Sequence, residues 1–113
     1  MSSVPATALS ALGAAMNVIA HNTANACTDG FEKNRVLFHE ARSGGVTVSI
    51  EGNSGKRART YPDRTIETET GSSNVNLHEE CARLITTLHA YEAVIATARA
   101  EDETKHALMD IIA

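Results

Sequence analysis

Tryptophan is absent from this 113-residue sequence, and only two phenylalanines and two tyrosines stand in for it. A chain so poor in rings cannot fill a wide globular core; 42% of its residues are apolar, but alanine supplies much of that share. Thin packing of closely approaching helices is what such a composition allows. Only two cysteines occur, Cys27 and Cys81, too few for a zinc ribbon or a disulfide framework. No run of eighteen apolar residues appears, so no single-helix membrane span is expected. Basic residues are missing until Lys33, which leaves no cationic segment ahead of the apolar N-terminal part and argues against a Sec-type signal. The formal net charge of −4 lacks the basic excess that a nucleic-acid surface needs. One domain is the most that this length supports.

What is present falls into three segments, about 4–28, 31–73 and 77–112. In the first, Ser3 fits an N-cap and Pro5 sits in the first turn, where its missing N–H costs nothing. Leu9, Leu12, Met16 and Ile19 then recur at alternating spacings of three and four, a heptad-like stripe among small residues. Asn22, Asn25, Thr28 and Gly30 follow as a polar, glycine-punctuated stop. In the middle, Val46-Thr47-Val48-Ser49-Ile50 alternates as a half-buried strand does. Gly52-Asn53-Ser54-Gly55 predicts a turn, and residues 56–61 predict the returning strand of a small hairpin that Pro62 ends. Residues 65–70 alternate more weakly. Lys56, Arg57, Arg59 and Arg64 form a local basic cluster, read as a solvated face because the chain as a whole is acidic.

The last segment carries the clearest signal. Asn76 fits an N-cap with Glu79 at the third helical position, and neither glycine nor proline interrupts the chain from there to its last residue. Leu77, Cys81, Leu84, Leu88, Tyr91, Ile95 and Ala98 continue the alternating spacing down one face. The stripe lapses across residues 99–106, where Asp102 and Lys105 take apolar positions, and resumes at Leu108, Met109, Ile111 and Ile112. The fold class expected is therefore mainly α: an antiparallel, coiled-coil-like pair of long N- and C-terminal helices with a small β hairpin between them. Such a pair sets Ile19 against residues 89–92, Leu12 against 95–98, and Cys27 and Cys81 at one end, either bonded or as packed free thiols.

Chemistry is sparse. The five histidines include no i, i+4 pair, and His78, Cys81 and Cys27 make a poor metal set. Glu79, Glu80, Glu101 and Glu103 read as a capping group and a solvated face, since nothing suggests an apolar pocket around them. Gly55-Lys56 lacks both the earlier glycine and the following hydroxyl of a phosphate loop. No catalytic residue, metal site or cofactor is assigned, and no enzyme is expected.

Two stretches resemble a known family. Asn22-x-Ala24-Asn25-Ala26-x-Thr28-x-Gly30-Phe31 is similar to the N-terminal signature of the bacterial flagellar rod and hook proteins. Ser73-Asn74-Val75-Asn76-Leu77-x-Glu79-Glu80, with Leu84-Ile85, Ala90-Tyr91-Glu92-Ala93, Asp102-Glu103 and Leu108-Met109, resembles the C-terminal helix of the proximal-rod members. Gly45-Val46-x-Val48 extends the likeness into the middle, while His21, Glu32, Leu88, Val94, Thr104 and Lys105 depart from the pattern. The resemblance implies a structural subunit of the flagellar basal body, serving motility in the periplasmic rod. It implies passage through the flagellar type III export apparatus without a cleaved signal. Its partners would be itself and other axial or rod subunits, with no nucleic acid and no small-molecule substrate. The assembly interface would draw on Leu9, Leu12, Met16, Ile19, Leu84, Leu88, Tyr91, Ile95, Leu108, Met109, Ile111 and Ile112. The other class that the sequence allows is a stand-alone helical-hairpin adaptor that oligomerises through its long C-terminal helix.

Overall fold

The computed structural model describes residues 3–52 and 73–113. Four elements follow in order: α1 (Ser3–Ala24), β1 (Asn34–Glu40), β2 (Val46–Gly52) and α2 (Leu77–Ile112). The chain is thus mainly helical, with two terminal helices and a two-stranded antiparallel hairpin packed on α1, as the segment pattern predicts. The alternation expected at residues 56–61 and 65–70, and the basic cluster with it, lie outside the described residues.

α2 spans the predicted 36 residues because nothing in them breaks a helix. Asn76 caps it in an extended conformation, its Oδ1 accepting from the His78 N–H at 3.0 Å. Glu79, the acidic residue three positions on, reaches Lys33 Nζ at 3.3 Å, so the cap is tied to the segment that follows α1. α1 ends at Ala24, four residues before the expected boundary. Polar side chains take over its last carbonyls: Thr23 Oγ1 donates to Ile19 O and Asn25 Nδ2 to His21 O. The helix gives way to tight turns that end in Gly30 at φ 73°.

The described hairpin pairs β2 with a strand that the residue pattern does not predict, while the partner expected at 56–61 lies outside the described residues. Val46–Gly52 lies antiparallel to Asn34–Glu40, a strand that precedes it, in a register of Val36 opposite Ile50 and Phe38 opposite Val48. Its turn is therefore residues 41–45, closed by Gly44 N to Ala41 O and Ala41 N to Gly45 O, with Gly44 and Gly45 at φ 84° and 98°. Two consecutive positive-φ positions are what a Gly-Gly pair supplies at low cost. Val36, Phe38, Val46, Val48 and Ile50 share one hairpin face by the period of two, and Val36 and Phe38 border the helix pair. The loop also touches α1: Thr7 Oγ1 donates to Val4 O and accepts from Val46 N, and a Cβ on Gly45 would collide with that hydroxyl.

The helices meet along small faces and not along the leucine stripes. In α1 the buried residues are Pro5, Ala11, Ala15, Val18, Ile19 and Asn22; Leu9, Leu12 and Met16 are only half-buried. In α2 the inward residues are Glu80, Arg83, Thr87, Ala90, Tyr91, Val94, Ile95, Ala98 and Glu101, whereas Leu77, Leu84, Ile85 and Leu88 are 43–52% exposed. Small side chains permit closer backbone approach, and the hairpin lies against α1. Leu84 and Leu88, expected in the assembly interface, thus take no part in the seam within the chain. The register is corrected too: Ile19 shares a cavity with Arg83 and Thr87 in place of residues 89–92, a displacement of about one and a half turns. Over Val4–Ala24, α1 is long and apolar enough to cross a membrane by length and composition, although it holds no unbroken apolar run. Alanine dilutes the polar positions enough to raise its mean hydropathy.

Candidate functional site

The signature residues converge on one polar clasp where α1, β1 and the start of α2 meet. Asn22 is 1% exposed and its amide behaves like a strand partner: Nδ2 donates to Asn34 O and Oδ1 accepts from Asn34 N, both at 2.9 Å. The same Nδ2 approaches Glu80 Oε2 at 3.4 Å. One side chain therefore fastens the end of α1 to β1 and to α2, since a buried amide left unpaired is costly.

Around it the remaining motif residues shape the path of the chain. Ala24 closes α1; Thr28 Oγ1 donates to Asn25 Oδ1 at 3.1 Å, and Phe31 N returns to Thr28 O at 3.2 Å. Phe31 sets its ring edge-on to His21, with centroids 5.5 Å apart. The second motif closes over this turn: Asn74 N donates to Phe31 O, and Lys33 N donates to Asn74 Oδ1 at 2.7 Å. The two stretches that carry the family likeness are thus brought into direct contact, although more than forty residues of sequence separate Phe31 from Asn74. All six residues of the N-terminal motif serve turn geometry and fastening here.

Behind the clasp lies a cavity of about 230 Å3 between the helices and the hairpin. Ala15, Val18, Ile19, Val36 and Phe38 wall it, and Asn22, Glu80, Arg83 and Thr87 line its polar part. Glu80, expected on a capping or solvated face, is instead 1% exposed, and its Oε1 is buried without a hydrogen-bond partner. Glu101, expected on the solvated face, is half-buried with Oε2 in the same condition. Sequence reasoning passed over Glu80 because it is adjacent to Glu79 in the first helical turn, where an acidic residue needs no further explanation. The i, i+3, i+7 series of Glu80, Arg83 and Thr87 is the trace that marks the inward face.

Of the expected interface residues, Ile19 is buried, Leu9, Leu12, Met16, Tyr91 and Ile95 are half-buried, and Leu84 and Leu88 are exposed. The last four stand clear of the fold: Leu108, Met109, Ile111 and Ile112 are 53%, 68%, 79% and 84% exposed. Their freedom follows from the register. Nineteen residues back from Asn22 is Ser3, and nineteen forward from Glu80 is Arg99, so α2 outruns α1 by about 13 residues, ~20 Å. Cys27 and Cys81 are both free and exposed. Among the described residues no group of three or more His, Cys, Asp and Glu could hold a metal ion. No protein-family model matches the chain, and no curated protein matches it.

Proposed function

We propose that this chain is a structural subunit of the flagellar rod type, which assembles with copies of itself and with other axial subunits through its helices in the periplasmic rod. The observation that carries this reading is the free end of α2. Four large apolar residues within its last five helical positions are more than half exposed, on a helix that has already passed the end of its partner. A small protein seldom leaves such a patch bare unless it is an interface. The likeness of both motifs to rod proteins supports the identity of that interface, and their meeting in one clasp gives each motif residue a physical reason to be present.

A second observation favours a different class in the same terms. Leu77, Leu84, Ile85 and Leu88 also face outward near the start of α2, which suits an adaptor that forms a closed dimer through this stripe. Truncation separates the two. Removing residues 106–113 from a rod-type subunit abolishes self-association in light scattering while the helical circular dichroism per residue persists; a closed dimer through the leucine stripe survives the same truncation. In the cell, deletion of the gene of a rod subunit leaves basal bodies without a complete rod in electron micrographs, whereas intact rods in the deletion strain exclude that role.

A further inference from the structure

Glu80 is a buried carboxylate that no cation among the described residues pairs with. Among the described residues its Oε2 receives only the long 3.4 Å approach of the neutral Asn22 amide, and its buried Oε1 receives nothing. Arg83 lines the same cavity without forming an ion pair with it. Stable proteins pair a charge buried to this degree, because water no longer screens it. The cavity walls beside it are apolar and include Phe38, itself 51% exposed at the rim. A site of that kind, an acid at the floor and an apolar wall, fits a cation carried on a flexible hydrocarbon stem, which is lysine.

The chain carries a matching surface at the far end of α2. Lys105 is exposed, and Leu108, Met109 and Ile112 follow it at i+3, i+4 and i+7, so one helix face presents a cation flanked by apolar side chains. The other described cations lack this setting. Lys33 is paired with Glu79, Arg35 stands opposite Glu51 across the hairpin, Arg42 lies in the hairpin turn, and Arg99 is level with the start of α1. Lys105 cannot reach Glu80 in its own chain, since the 25 residues of helix between them span ~38 Å.

Resting on the assembly reading above, we propose that Lys105 of a second copy enters the Glu80 cavity while its Leu108 and Met109 lie against the Phe38 rim. Donor and acceptor surfaces are different patches, so a copy that gives its Lys105 to one neighbour keeps its own Glu80 cavity open for another, and the contact propagates head to tail unless two copies satisfy each other reciprocally. The lysine supplies the missing counter-charge, and the apolar tail loses its exposure in the same step.

The test uses full-length protein. Lys105→Glu, a change on an exposed helix position that leaves folding intact, is expected to weaken self-association at least tenfold in sedimentation velocity, and Lys105→Arg to retain most of it. A geometric check comes from chains with Cys27→Ser and Cys81→Ser. One such chain carries Met109→Cys and the other Ile50→Cys, an exposed position on the hairpin face that bears Phe38, so that Lys105, Glu80 and Phe38 all stay in place; mild oxidation of the mixture should give the mixed disulfide in preference to either homodimer. Wild-type association by Lys105→Glu, or random pairing of the two cysteine chains, overturns this contact but leaves assembly through the tail standing. A wild-type chain that remains monomeric at every concentration overturns the assembly reading and this contact together.

Discussion

Asn22 of α1 and Asn34 of β1 exchange two hydrogen bonds of 2.9 Å, the side-chain amide of one satisfying both backbone groups of the other. This pairing replaces a third strand at the open edge of the hairpin. Asn22→Ala removes it and strips Glu80 of its one donor, leaving several buried polar atoms unpaired. The expected loss is about 3 kcal/mol or more, given ~1–3 for each orphaned group. Urea unfolding measures it directly, and a loss below ~1 kcal/mol would show that water replaces the amide.

Two glycines with positive φ should respond differently to alanine. At Gly30 an added Cβ meets nothing within 4 Å, so Gly30→Ala costs only the left-handed conformation, about 1 kcal/mol. At Gly45 the Cβ runs into the Thr7 hydroxyl that holds Val46 N. Gly45→Ala is therefore expected to cost at least ~1 kcal/mol more than Gly30→Ala in thermal unfolding. Equal costs would mean that the loop lifts away from α1 freely.

The small-residue seam makes an ordering of core substitutions. Ile19, 7% exposed, is expected to lose 2–5 kcal/mol, in order of magnitude about 3, on replacement by Ala. Leu84→Ala and Leu88→Ala, at 43% and 46% exposure, should each stay under about 1 kcal/mol in the isolated chain. Chemical denaturation at concentrations below self-association tests the order; leucine losses that match the Ile19 loss would restore the heptad seam.

Both cysteines are exposed and free, so the folded protein should take up two equivalents of a thiol reagent without denaturant. Intact-mass measurement counts the adducts. A mass two hydrogens lower after mild oxidation, with no adducts, would instead place Cys27 beside Cys81.

The parts of this fold that were legible in the sequence are those fixed by local rules. α2 runs over its predicted residues because Asn76 starts it and no later residue can stop it. The helical pattern predicts an α1 four residues too long, because Thr23 and Asn25 look continuous with it while their side chains in fact take its last carbonyls. β1 is hidden in the sequence because Leu37 on its outer face and Glu40 on its inner face break the alternation that Val36 and Phe38 begin. The seam was misplaced because counting heptads favours large residues, whereas close helix approach selects alanine, and only tertiary packing decides between them. Asn22 was singled out by resemblance alone; no rule of spacing predicts that its amide fastens three elements.

The contact between Asn22 and Glu80 closes a loop of 58 residues, and with it comes an order of events. During synthesis the amide of Asn22 and the backbone of Asn34 can meet early, but the partner face of α1 does not exist until α2 leaves the ribosome. Until then Ala11, Ala15, Val18 and Ile19 have no second helix to cover them. Folding must therefore wait on the last third of the chain, and its rate is set by how quickly distant ends find each other and not by how quickly either helix winds.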